Sequence, residues 1–116
     1  MMYDIHRRID IVEAISHCRS RPRYSVLIVV ENTEAIERYA NELRPLLKKS
    51  EALVKMRAHN IEITFLNGSR CDFIPVEYIC GRRVHEAYCF TDIDERYINE
   101  VIRPQVTLKY KTEESN

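Results

Sequence analysis

Glycine is nearly absent from this chain: Gly68 and Gly81 are the only two in 116 residues. Neither is followed by Lys-Ser or Lys-Thr, so there is no G-x-x-x-x-G-K-[ST] loop to wrap a phosphate in backbone amides, and nucleotide hydrolysis by this chain alone is not expected. Net charge is absent as well. Eighteen basic residues balance eighteen acidic ones, which excludes a global positive field and leaves nucleic acid only a local patch to contact. No apolar run approaches the ~20 residues that span a bilayer. The opening Met1-Met2-Tyr3-Asp4-Ile5 lacks the charged-then-apolar layout of a signal peptide, so a cytoplasmic protein with no membrane partner is expected. The four cysteines, Cys18, Cys71, Cys80 and Cys89, include no C-x-x-C pair, which argues against structural zinc and for free thiols in a reducing compartment. The equal spacing of the last three carries meaning only if the fold gathers them.

What is present is an ordinary globular composition, 45% hydrophobic and 31% charged, at the length of one domain. Residues 1–111 read as that domain and 112–116 as a flexible polar tail. Ile5, Ile9, Val12, Ile15 and Cys18 form a helical stripe, ended by the basic stretch through Pro22. Val26-Leu27-Ile28-Val29-Val30 is the pattern of a strand covered on both faces. Asn32 and Thr33 suit the cap of a following helix, and Pro45 should kink it or begin a second short one. Ile61–Leu66 and Arg70–Ile74 flank Asn67-Gly68 and predict a β-hairpin with a type I′ turn. Ala87–Thr91 reads as a buried strand leading into Asp92-Ile93-Asp94-Glu95. A helix follows from about Asp94 to Arg103, and then Val106, Leu108 and Tyr110 alternate as a strand would. The expected class is α/β: a three-layer-like domain with a mostly parallel sheet plus a hairpin.

That order of elements resembles the middle of the ATPase domain of phage terminase large subunits and, more distantly, helicases. The resemblance rests on Val26–Val30 with its helix, on Ile63-Thr64-Phe65-Leu66-Asn67-Gly68-Ser69, on Gly81-Arg82, and on Tyr88–Glu95 leading to Ile98 and Pro104. It implies a P-loop-ATPase-like core lacking its phosphate loop, of phage or mobile-element type. It also implies that Asp94 and Glu95 stand at the Walker B positions for magnesium and the attacking water, with Asp92 as a substitute metal ligand.

Three readings follow. The first is a non-catalytic binding or regulatory module with a protein partner or a second copy, and no cofactor. The second is a magnesium-dependent enzyme acting on nucleotide or nucleic acid through Asp92, Asp94 and Glu95, against which stands the plain role of acids at a helix start. The third is a homodimer pairing through an exposed strand Val106–Tyr110. Arg19, Arg21 and Arg23, with Arg82, Arg83 and His85, offer planar forks for phosphate or nucleic acid, although the neutral net charge and the nearby Glu77 and Glu86 weigh against it and favour a solvated loop. His17 beside Cys18 could activate a thiol, but helix neighbours point apart. Asp72 with Glu77 lacks the lysine that a metal-dependent nuclease places two residues on, where Ile79 stands.

Overall fold

In the computed structural model, which describes residues 4–110, the run Val26–Val30 forms most of strand β2 (Ser25–Val30) and is buried throughout. Side chains alternate across a strand, so a continuous apolar run needs cover on both faces. Val26, Ile28 and Val30 pack with α1 (Ile11–Ser20) and α2 (Ala35–Leu43). Leu27 and Val29 pack on the other face against Ile98 and Ile102, which belong to a helical segment near the end of the described chain. That segment opens as α3 (Glu95–Tyr97), widens into a π-helical stretch over Ile98–Ile102 and closes as a 3-10 turn at Arg103–Gln105. Pro104 has no amide with which to continue an α ladder, which accounts for the stop.

The sheet is mixed, six-stranded, and ordered β1-β6-β2-β5-β4-β3. Strands β1 (Ile5–His6), β6 (Glu86–Cys89), β2 and β5 (Arg70–Pro75) run parallel. The hairpin of β4 (Ile61–Phe65) with β5 and the outermost strand β3 (Ala52–Met56) are antiparallel. Helices on both faces and four parallel strands make this an α/β domain of the expected coarse class. The ATPase kinship of its core belongs to the resemblance alone. Asn32 Oδ1 accepts the Ala35 amide at 2.9 Å where α2 begins, and Pro45 sits in a separate 3-10 turn, Arg44–Leu46.

Three local expectations are corrected, and one strand was not read at all. The first helical stripe is too long: Ile5 and His6 are a strand, and the helix starts after Asp10, whose carboxylate accepts the Glu13 amide at 3.0 Å. The hairpin turn is not type I′, because Gly68 has φ 89° whereas Asn67 is not among the residues with positive φ. The Gly68 amide donates to Phe65 O and the Phe65 amide to Ser69 O, a turn closed by a single left-handed glycine,. Strand β3 gave no alternation to read, since its burial follows no two-residue pattern. Val106–Tyr110 is not a strand. Val106 makes one isolated bridge to Val84 and the following residues are irregular, so the dimer edge drawn there does not exist. The polar tail, 112–116, lies outside the described residues.

Candidate functional site

A buried glutamate at the head of an otherwise apolar strand is the chemical anomaly of this fold. Glu86 opens β6 and is 3% exposed. An unpaired carboxylate there would be very costly, so partners must converge on it. Four do. His6 Nε2 on β1 lies 2.6 Å from Oε2, and His17 Nδ1 on α1 lies 2.8 Å from Oε1. The hydroxyls of Tyr24 and Tyr88 each approach to 3.2 Å. Tyr88 OH also reaches Glu13 Oε2 at 2.8 Å. Glu13 and His17 are one helical turn apart and so share the face of α1 that meets the sheet. Glu86 and Tyr88 alternate onto that same face of β6. The ring of His6 stacks on Tyr88 at 4.2 Å, held there by the β1–β6 register.

Burial pushes the Glu86 carboxyl upward, but the hydrogen bonds and charges of His17 and His6 outweigh it, and the net shift is below the usual carboxylate range,. Burial and the neighbouring carboxylates push the Tyr24 and Tyr88 phenols up, so both stay protonated donors. His85, stacked on Tyr24 at 4.7 Å, accepts the Ser25 amide through Nδ1, and burial lowers its pKa.

The residues singled out from the sequence lie elsewhere. Asp92, Asp94 and Glu95 follow the carboxyl end of β6, where open α/β sheets bind ligands, yet they do not converge. Asp94 accepts the Arg96 amide at 2.8 Å and serves as a helix cap. Glu95 pairs with Arg7 at 2.6 Å, which lowers its pKa. Asp92 alone lines a cleft of about 510 Å³ with Arg8, Glu31, Arg38 and Tyr39, in which Arg38 is already held by Glu31. Among the described residues, only His6, Glu13 and Glu86 bring ligand atoms of three metal-binding side chains within 4.8 Å of one another.

The arginines stand at the opposite end of the sheet, before the amino ends of the adjacent strands β2 and β6. Most are engaged. Arg19 is held by Glu51 and by the Leu46 carbonyl. Arg21 lies over the rings of Tyr24 and Tyr110. Arg23 takes a left-handed φ of 58° beside Gly68. Arg82 pairs with buried Asp72 at 2.6 Å, and Arg83 reaches Thr107. Asp72 is thereby an ion-pair partner and offers nothing to a metal. Cys18 is buried and bonded to the Arg70 carbonyl while His17 turns to Glu86, so they form no reactive pair. Cys71 and Cys89 belong to the two separate cores and Cys80 is exposed, so their equal spacing places no thiols together.

Sequence reasoning missed the Glu86 cluster. The signals were a Glu13/His17 pair at helical spacing and a glutamate leading an otherwise apolar strand, but neither points to its partner without the fold. No helix of the described residues is long and apolar enough to cross a membrane. No known family, curated protein or solved structure matches this chain, so fold and site define its class: an α/β domain with a mixed sheet and a buried His-Glu-His cluster.

Proposed function

We propose that this chain is a non-catalytic protein-binding module that adds an extended, acidic segment of a partner to the edge of β3, on a scaffold akin to terminase and helicase ATPase domains. The observation that carries this reading is the open edge. Leu53 and Met56 are 60% and 46% exposed, and Val54 is exposed between them. The Arg57 amide donates to Asn60 O and the Leu66 amide to Glu51 O. By antiparallel alternation, the odd-numbered residues of β3 therefore face β4, and the amides of Ala52, Val54 and Met56 point outward, unpaired within the sheet. Such an edge is a template for another strand. Beside it, Leu47, Ala52, Leu53 and Val54 line a recess of about 560 Å³ whose rim is Arg44, Lys48 and Lys49. That rim favours an acidic partner. A second copy would bring the same positive charge to the edge.

Catalysis is disfavoured by how the strand ends are used. Asp10 puts its own carboxylate on the Glu13 amide at the start of α1, where a phosphate would sit, and Arg7 neutralises Glu95,. A labelled decapeptide of alternating valine and glutamate should bind saturably by fluorescence anisotropy. Val54→Pro, which removes an outward amide and no ladder bond, should weaken it at least about tenfold. Absence of peptide binding sinks the edge reading. Turnover of ATP with magnesium, abolished by Asp94→Asn, sinks the non-catalytic one.

A further inference from the structure

The Glu86 cluster holds two carboxylates that face each other across one phenol. Tyr88 has a single proton to share between Glu13 Oε2 at 2.8 Å and Glu86 Oε2 at 3.2 Å. His6 spans the same gap, with Nε2 at 2.6 Å from Glu86 and Nδ1 at 3.9 Å from Glu13. No lysine or arginine forms an ion pair with either acid among the described residues, leaving the two histidines as their only basic partners. A dication placed among these donors would neutralise both carboxylates at once.

We propose that His6, Glu13 and Glu86 bind one divalent first-row transition ion of the zinc class, with His17 holding the second oxygen of Glu86. The donor set is one imidazole and two carboxylates, which suits zinc, iron(II) or manganese(II) better than calcium or magnesium, whose ligands are oxygens. His17 Nδ1 on Glu86 Oε1 is the outer hydrogen bond that orients a ligating carboxylate. Three protein ligands leave positions open to water, and the side chains of His6 and Glu13, 23% and 34% exposed, give the ion a way in. Two donors on one zinc at ~2.0–2.1 Å and a tetrahedral angle sit about 3.3 Å apart. The ion therefore replaces the proton between His6 and Glu86 and spreads that contact by less than about an ångström, releasing any proton His6 must lose to coordinate. The proposal is independent of the β3 edge, which lies at the other end of the sheet.

The test is titration of untagged full chain with zinc chloride by calorimetry, and with cobalt(II) chloride by visible absorption, which reports the ligand field directly. The expected result is one saturable equivalent by both readouts. Glu13→Gln, at a half-exposed position that should leave the fold intact by circular dichroism, and His6→Asn should each abolish the cobalt band or weaken binding beyond about a hundredfold. His17→Asn should weaken it about 10–100-fold. Asp94→Asn should change nothing. No saturable binding, binding untouched by Glu13→Gln and His6→Asn in folded protein, or binding lost in Asp94→Asn instead would each overturn the proposal.

Discussion

The two ends of the sheet invert the usual distribution of polarity. At the β1–β6 end, a charged glutamate and two tyrosine hydroxyls are buried beside two histidines. At the β3 end, leucine, valine and methionine face water. The first end is closed by α1 on one face and the Ile98–Ile102 stretch on the other. The second ends at β3, beyond which no strand of the described residues pairs. Burial at the closed end makes every polar group depend on its partners. Exposure at the open end makes the apolar residues nearly free of stability consequences and available for association. Function is expected at both ends for opposite reasons, ion capture where polar groups are trapped and strand addition where apolar ones are not.

Breaking the closed end should have the largest effect. Glu86→Ala leaves His6, His17, Tyr24 and Tyr88 without their shared acceptor and should cost about 3–5 kcal/mol, the range for removing one partner of a buried pair, read as a lower urea midpoint. Tyr88→Phe removes the phenol proton that Glu13 and Glu86 share and should cost about 1–3 kcal/mol by the same measurement,. A pH series sharpens the contrast. The folded pKa of Glu86 lies below its ordinary value of 4.5. Its contribution is therefore fully present above that value and lost as pH falls through the lowered one. Wild type should lose stability on acidification below about pH 4.5 more steeply than Glu86→Gln, and equal slopes would remove the carboxylate from the account. Asp10→Ala, at the mouth of the same end, removes a helix cap and should cost about 1 kcal/mol in the urea midpoint. At the open end, Leu53→Lys should stay within about 0.5 kcal/mol of wild type. A larger loss in thermal unfolding would mean that β3 is already covered, and the comparison would fail.

Much of the scaffold was legible before any coordinates. The five-residue apolar run reads as a doubly covered strand, and the hairpin shows as alternation on both sides of Asn-Gly. Pro45 and Pro104 set boundaries because a missing amide acts locally. The errors fell where long-range pairing decides. Ile5 and His6 fit a helical stripe until β6 supplies a parallel partner, and Ala52–Met56 carries no pattern because β4 alone holds it in place. Val106–Tyr110 alternates but has no strand to pair with beyond one bridge to Val84. Asp94 and Glu95 were visible as acids after a strand, while the arginine that neutralises one and the amide that occupies the other were not.

The sequence by itself determined an α/β domain with a central β2, a β4–β5 hairpin and no phosphate loop, because periodicity, turn chemistry and a missing motif are properties of neighbours along the chain. Only the tertiary structure decided that His6, Glu13, His17 and Glu86, spread over 80 residues of separation, share one site. It alone decided which strand forms the open edge. Both outcomes depend on strand order and register, and those are fixed by contacts among residues that no local pattern relates.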